Sequence, residues 1–240
     1  MPHAPGLIGL ACGEISRYSD FIPAVVQLCA TAPPGSEFLR RPGLGPARPF
    51  NSIAEDFLQN KKFEWLFLTN DDNLCPPGTI SKLLDHHVDV VSGLYFGRIQ
   101  PFEPVLFDEV ESRWSDEKMR YIRWYHRHLM APGEKGLIPA AAVGDGCLLI
   151  RRYVLEQIPD PWWEYGETES DCCDHDVVFS RKVVEHGFGL YCDLDLRVDH
   201  VSNFTISPVQ EDDGEWYAYL RQAERAIKVK VPQPGEERVE

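Results

Sequence analysis

The chain has 240 residues, of which 43% are hydrophobic, and a formal net charge of -14 at pH 7. This length and apolar content suffice for one substantial core, so we expect a globular domain with at most an appended subdomain. The negative net charge argues against a basic surface that binds nucleic acid phosphates non-specifically. A local positive groove is compatible with this net charge.

The seven cysteines and the terminal sequence predict the compartment. No two cysteines have Cys-x-x-Cys spacing, which predicts reduced thiols rather than disulfides or a zinc site. No apolar run approaches the roughly 20 residues needed to span a bilayer, and the start Met-Pro-His-Ala-Pro lacks the features of a signal peptide. We therefore expect a cytoplasmic protein with no membrane partner.

The first part of the chain alternates strand and helix patterns. Apolar runs predict strands over 6–12, 65–69 and 88–94,. Helical periodicity predicts helices over 21–31, 52–59 and 80–87,. Segment 32–49 is rich in Pro and Gly and is expected to be a loop. The alternation favours an α/β fold of the Rossmann-like kind, with a mostly parallel central sheet flanked by helices.

The pattern changes after residue 95. Segment 96–136 mixes aromatic and histidine side chains with many charges, and we interpret it as a small insertion or edge structure. Regular patterns then predict strands over 147–151, 189–192 and 197–200, and helices over 153–158, 174–186 and 215–227. Asp174 can cap the second of these helices and Gly187 can terminate it. We expect one domain over 1–210, followed by a C-terminal helix and tail over 211–240.

The most informative segment is Trp65-Leu-Phe-Leu-Thr-Asn-Asp-Asp-Asn73, an apolar strand that runs into carboxylates and amides. Open α/β sheets bind ligands at the carboxyl ends of their strands, and two carboxylates suit Mg²⁺ or Mn²⁺. The alternative is a simple polar turn after the strand. The segment suggests a metal held against a phosphate.

Two further residues are candidates for chemistry. His200 ends a strand, where an imidazole near a carboxylate would favour Mn²⁺; the alternative is a hydrogen-bonded or solvated histidine. Asp176 lies in the first turn of its helix, where it either stabilises the helix dipole or acts as a general base.

The order of these motifs resembles that of GT-A-fold glycosyltransferases of the family-2-like kind found in bacteria and phages. The resemblance covers about 6–204. Asn70-Asp-Asp72 before Pro76 and Pro77 is similar to the family's Asp-x-Asp motif, with Asn in the first position. Four more segments match the family in order: Ala47-Arg-Pro-Phe-Asn51, Val143 to Arg152 with Pro161-Trp-Trp163, Asp174-His-Asp176 with Glu185-His-Gly-Phe188, and Val198-Asp-His200.

The resemblance implies a role for each matched residue. Asp72 and His200 would hold Mn²⁺ or Mg²⁺, and Asn70 and Asp71 would face the ribose or metal-bound water. Asp176 would be the catalytic base, beside His175 where the family usually has Glu. The other implied donor contacts are Arg48 near the nucleotide, Asp145 on sugar hydroxyls and Trp163 stacked on sugar or base; for Asp145 and Trp163 the alternatives are a turn residue and a core aromatic.

The implied reaction is metal-dependent transfer of a sugar from a nucleoside diphosphate sugar, with UDP favoured, to a hydroxyl acceptor with inversion. Retention is the alternative, because a late His ligand occurs in retaining relatives too, and Asp176 would then have another task. The acceptor would be a glycan or a hydroxymethylated pyrimidine in DNA, and we expect segment 96–136 to lie on the acceptor side. A phage-encoded enzyme would act in the host cytoplasm. The sequence does not indicate an oligomeric state.

Two alternatives remain from the sequence. A sugar-phosphate nucleotidyltransferase also pairs an α/β nucleotide domain with acidic metal ligands, but would be expected to have a Gly-rich phosphate loop near its first strand. A non-catalytic nucleotide-sugar-binding module would explain the departures Asn70 and His175.

Overall fold

The computed structural model describes residues 3–12, 21–43, 45, 47–166, 173–202, 204–222 and 225–234. The helices are α1 Phe21–Ala30, α2 Ala47–Gln59, α3 Thr79–Asp85, α4 Arg152–Gln157 and α5 His175–Glu185. The strands are β1 Leu7–Cys12, β2 Glu37–Pro42, β3 Trp65–Asn70, β4 Asn73–Leu74, β5 Val90–Leu94, β6 Leu106–Ser115, β7 Arg120–Arg127, β8 Leu137–Pro139, β9 Ala142–Val143, β10 Cys147–Arg151, β11 Leu190–Arg197, β12 Asp199–Val201, β13 Thr205–Gln210, β14 Trp216–Gln222 and β15 Arg225–Lys230.

The central sheet has the strand order β2-β1-β3-β10-β5-β11-β8. β1 pairs in parallel with β2 and β3, and β5 with β11, whereas β10 is antiparallel to both β3 and β5 and β8 is antiparallel to β11. Five strands therefore run one way and two, β10 and β8, the other way. The predicted α/β architecture with a mostly parallel central sheet is confirmed.

The first four residues of β3, Trp65 to Leu68, are all apolar because helices cover both faces of the sheet there. Leu66 and Leu68 share a core cluster with Phe50 and Ile53 of α2. The alternate side chain Phe67 belongs to the cluster of Ile80 and Leu83 on α3. Residues two apart on a strand point to the same face, so a strand buried on both sides needs an unbroken apolar run.

The sequence pattern predicted a continuous loop over 32–49, and this prediction is wrong. It contains β2, the edge strand of the sheet, and the first residues of α2, which begins at Ala47 instead of residue 52. An edge strand carries few buried side chains, so β2 lacks the apolar signal on which the prediction depended. Pro49 lies in the first turn of α2, where a missing N–H costs no hydrogen bond.

The predicted C-terminal helix over 215–227 is wrong, because β14 and β15 form an antiparallel pair there. Trp216 and Ala218 are fully buried on one face of β14, while Tyr217 and Tyr219 lie on the other,. The segment therefore has a two-residue period, which the helical interpretation overlooked. β14 continues a five-stranded sheet with the order β15-β14-β13-β12-β4. Of the tail predicted after residue 227, residues 228–230 belong to β15 and residues 235–240 lie outside the described residues.

Segment 96–136 forms the long β6–β7 hairpin, which joins β9 in a separate three-stranded sheet. Helix α5 ends as predicted: Gly187 has a φ of 81°, and Phe188 N–H donates to the carbonyl of Val183 at 3.1 Å,. Among the described helices, none is both long and apolar enough to cross a bilayer.

Candidate functional site

A cleft of about 390 Å³ opens where β1, β3 and β5 end. It receives side chains from the segment after β3, the segment after β5, the loop before β10, the start of α5 and strand β12. Its polar and charged lining residues are Asn70, Asp71, Asp72, Asn73, Tyr95, Arg98, Asp145, His175, Asp176 and His200. The fold therefore brings distant parts of the chain to the edge of the sheet where α/β proteins bind ligands.

Six of the eight residues that the sequence singled out line this cleft: Asn70, Asp71, Asp72, Asp145, Asp176 and His200. Arg48 and Trp163 instead line a separate depression beside Asn51. The Trp163 ring is only 1% exposed and stacks on Phe179 with 4.3 Å between ring centroids. Trp163 is thus a core aromatic, and the structure does not bring Arg48 to the cleft.

The short β4–β12 ladder holds Asp72 beside His200. Asn73 lies opposite His200 in this ladder, and Val201 N–H donates to the carbonyl of Asp72 at 2.8 Å. His200 Nδ1 lies 2.8 Å from the carbonyl oxygen of Phe96, so Nδ1 carries the proton and donates it,. Nε2 then faces Oδ2 of Asp72 at 3.7 Å.

Arg98 is a cleft residue that the sequence analysis missed. Its Nη1 lies 2.7 Å from Oδ2 of Asp72. Burial acts to raise the pKa of Asp72, but the protonated form of the His200 imidazole and the guanidinium of Arg98 outweigh it and leave that pKa below its ordinary value,. The signal in the sequence was weak: a single basic residue just past the end of β5.

Asp145 connects two walls of the cleft. Its Oδ1 accepts a hydrogen bond of 3.2 Å from Nδ2 of Asn70, and its Oδ2 lies 2.9 Å from Nε2 of His175. The second contact is a charge contact rather than a well-directed hydrogen bond, because neither atom has a hydrogen-bond partner among the described residues. Burial acts to lower the pKa of His175, but Asp145, Asp176 and Asp174 together raise it.

Asp176 has the most unusual environment of these carboxylates. Burial and the neighbouring charge of Asp145 raise its pKa to about 7, against the opposing effects of His175 and of a hydrogen bond from Val177 N–H,. A carboxylate at the first turn of a helix would ordinarily be stabilised in its charged form. At Asp176, burial and the negative charge of Asp145 outweigh the stabilising effect of the helix dipole.

Asn73 and Tyr95 form the floor of the cleft. Asn73 is 2% exposed, and neither atom of its amide has a hydrogen-bond partner in the described part of the chain. A Cβ on Gly146 would come within 2.4 Å of this amide, so any larger residue there would displace the Asn73 side chain. The Tyr95 hydroxyl accepts a hydrogen bond from Gly146 N–H at 3.2 Å. An unpaired buried amide at a cleft is a polar group available to a ligand.

The residues beside Asp72 offer few ligands to a divalent cation. In the described ranges, no group of three or more His, Cys, Asp or Glu side chains is arranged to hold a metal. Two lone pairs nevertheless face each other, Nε2 of His200 and Oδ2 of Asp72, 3.7 Å apart. Ligand distances of about 2.1 Å allow two donors up to about 4.2 Å apart to share one ion. The pair fits a cation that takes its other ligands from water or phosphate.

No protein-family model and no curated protein sequence matches the chain. Among solved structures, the chain is similar to the crystal structure of A197 from STIV, with 15% identity and a TM-score of 0.58, over 94% of this chain and 98% of that one. At this identity the likeness shows a common fold alone.

Two fainter likenesses are to a glycosyltransferase and a nucleotidyltransferase. GalNAc-T7 with UDP, GalNAc and Mn²⁺ gives 10% identity and a TM-score of 0.47, over 83% of this chain and 44% of that one. The inositol-1-phosphate CTP transferase from T. maritima gives 12% and 0.44, over 80% and 86%. Both TM-scores are below 0.5.

Proposed function

We propose that the protein is a metal-dependent GT-A-type glycosyltransferase. It would transfer a sugar from a nucleoside diphosphate sugar, with UDP favoured, to a hydroxyl acceptor with inversion. One observation carries the proposal: Asp72, His200 and Asp176, far apart in sequence, line one cleft at the carboxyl ends of parallel strands. Their types match the two tasks of such a reaction, which are cation binding at the leaving group and proton removal from the acceptor.

The donor side of the cleft is the wall formed by the segment after β3. Asp72 and His200 are the residues that would hold Mn²⁺ or Mg²⁺, and the bound ion would neutralise charge on the departing diphosphate. Asn70 and Asp71 line the same wall and would bind the ribose or a water. Asp145, held by Asn70, would accept a hydrogen bond from a sugar hydroxyl.

The acceptor side is the wall formed by the start of α5. With a pKa of about 7, Asp176 is half ionised near neutral pH, which suits a general base,. The acceptor oxygen would attack the anomeric carbon from the face opposite the diphosphate while Asp176 takes its proton. This single displacement inverts the configuration.

The β6–β7 hairpin adjoins that wall and supplies a surface for the acceptor. The Tyr125 hydroxyl accepts a hydrogen bond from Asp174 N–H at 2.9 Å, which joins the hairpin to the start of α5. Trp114 lies on the same face of the hairpin as Tyr125 and is 49% exposed, whereas Trp124, 39% exposed, lies on the opposite face,. Exposed aromatic rings bind sugar faces and unstacked bases, so both a glycan and a hydroxymethylated pyrimidine in DNA are compatible acceptors.

A donor screen tests the proposal. Thermal shifts with nucleotide sugars, with and without Mn²⁺, identify a donor because a ligand that binds only the folded state raises the melting temperature. UDP release from UDP-glucose and Mn²⁺ is then measured for the wild type and for Asp72→Ala. We expect slow release that the variant loses.

The alternatives give different results. A nucleotidyltransferase would release pyrophosphate from a nucleoside triphosphate and a sugar phosphate, and a binding module would be stabilised by a donor without releasing the nucleotide. If no nucleotide or nucleotide sugar stabilises the wild type, with or without the metal, the proposal is refuted.

A further inference from the structure

Arg98 carries a positive charge into the cleft at the position where a cation would bind. Among the described residues, its guanidinium has a hydrogen bond only with Asp72, at 2.7 Å from Oδ2. The side chain of Arg98 is 43% exposed and that of Asp72 only 16%. A guanidinium has five N–H donors, so most of those on Arg98 are not used by the part of the chain that the structure describes.

The same oxygen of Asp72 also faces Nε2 of His200 at 3.7 Å. A divalent ion shared by Asp72 and His200 would therefore place a second positive charge a few ångströms from Arg98. Like charges at that distance repel strongly in a partly buried site. The ion would also withdraw the negative charge that now holds the guanidinium. Arg98 and a metal thus compete for Asp72 unless another anion enters.

A diphosphate is the anion that relieves this competition. It carries negative charge on several oxygens, and arginine binds such oxygens in pairs through its planar fork of N–H groups. We propose that Arg98 is a diphosphate-binding residue: it holds Asp72 in the free protein and transfers its hydrogen bonds to the donor's phosphate oxygens when donor and cation bind. This inference rests on the proposed function, since it takes the diphosphate of a nucleotide as the ligand.

The exchange makes the binding of cation and nucleotide cooperative. Without a nucleotide, the cation must displace Arg98 from Asp72, so its affinity is reduced. With a nucleotide, the displaced guanidinium gains new partners, so the two ligands favour each other. Replacing Arg98 should consequently change the two affinities in opposite directions, which the loss of a merely structural ion pair would not do.

The test measures two dissociation constants by titration calorimetry: that of Mn²⁺ alone, and that of UDP in saturating Mn²⁺. For Arg98→Ala we expect Mn²⁺ alone to bind several-fold more tightly than to the wild type, and UDP to bind about 10-fold or more weakly. Arg98→Lys keeps the charge but not the fork, so its UDP affinity should fall between those of the wild type and Arg98→Ala.

Arg41→Ala is the matched control. Arg41 also forms a half-exposed ion pair, with Asp56, but does not line the cleft. The Arg41→Ala variant should leave the dissociation constants of Mn²⁺ and UDP unchanged. Melting temperatures show whether each variant is folded.

Two results would count against the inference, and they differ. If the wild type binds UDP but Arg98→Ala matches Arg41→Ala in both constants, the role of Arg98 is refuted and the proposed function stands. If the wild type binds no UDP with or without Mn²⁺, the proposed function fails and this inference fails with it.

Discussion

The Nε2 atom of His175 lies 2.9 Å from Oδ2 of Asp145, although the two residues come from different walls of the cleft. His175 is the residue that stands where the resembling family usually has Glu. The two partners of this contact act on Asp176 in opposite directions: the charge of Asp145 raises its pKa and that of His175 lowers it. The pair therefore sets the electrostatics around the proposed base.

Replacement of Asp176 tests its role as general base. Asp176→Asn keeps the shape of the side chain but cannot take a proton. Loss of a general base typically lowers the rate about 100-fold to 10,000-fold. We expect kcat of sugar transfer to fall in this range while UDP affinity in Mn²⁺ is unchanged. An unchanged kcat would assign the proton transfer to another group.

The pH dependence of the wild-type rate should follow the pKa of Asp176. The base is active when deprotonated, so kcat/KM should rise with pH and level off above a pKa of about 7,. In the Asp176→Asn variant, this rise of kcat/KM with pH should be absent. A rate that stays flat between pH 5 and 8 in the wild type, measured with saturating metal, would contradict the assignment.

Replacing either charged neighbour of Asp176 should shift the ascending limb of the kcat/KM profile along the pH axis, and the two replacements should shift it in opposite directions. Asp145→Asn removes a negative charge that raises the pKa of Asp176, so the limb should move to lower pH. His175→Gln removes a positive charge that lowers the same pKa, so the limb should move to higher pH. Both variants leave burial, the largest cause of the shift, in place. Movement of both limbs in the same direction would show that packing rather than charge dominates.

The raised pKa of Asp176 also predicts a change in stability with pH. A carboxyl group whose pKa is higher in the folded than in the unfolded protein stabilises the fold below its unfolded value, and this contribution is lost as pH rises through the folded value. The window runs from an ordinary value of 3.8 to about 7. Asp176→Asn should therefore raise the melting temperature relative to the wild type at pH 8 and have a smaller effect at pH 4.

Metal-dependent binding of UDP should depend on both proposed ligands. Asp72→Asn and His200→Ala each remove one of two lone pairs that face each other, so the added stabilisation of UDP by Mn²⁺ should disappear in both. Asp199→Asn is the control. Asp199 precedes His200 in the chain, but its carboxylate accepts a hydrogen bond of 2.9 Å from Arg221 and does not line the cleft. Thermal shift with UDP, with and without Mn²⁺, is the measurement.

Trp163 should behave as a core residue. Trp163→Leu removes a ring stacked on Phe179 and should lower the free energy of unfolding by about 2 kcal/mol, less than the roughly 3–5 kcal/mol typical of truncating a core aromatic to Ala,. UDP affinity of the folded variant should equal that of the wild type. If the variant is folded but binds UDP more weakly than the wild type, Trp163 has the donor-stacking role that the sequence suggested.

The pattern of apolar runs and strand-end carboxylates determined the α/β class and most of the cleft. β3 could be predicted because a strand covered on both faces must be apolar throughout, and its polar continuation marked Asp72. Asp176 was found because it lies at the start of a predicted helix, and His200 because it lies at the end of a predicted strand. The edge strand β2 and the strand pair β14–β15 were missed, since neither has the continuous apolar run of a central strand.

Only the tertiary structure decided which polar residues meet. The β4–β12 ladder brings Asp72 to His200, and the end of β5 brings Arg98 onto the same oxygen. Neither contact leaves a periodic signal in the sequence, because it joins residues from distant segments whose register depends on the whole sheet. The sequence alone could name acids and bases at strand ends. Their distances, and hence their charges and pKa values, come from the packing of the complete chain.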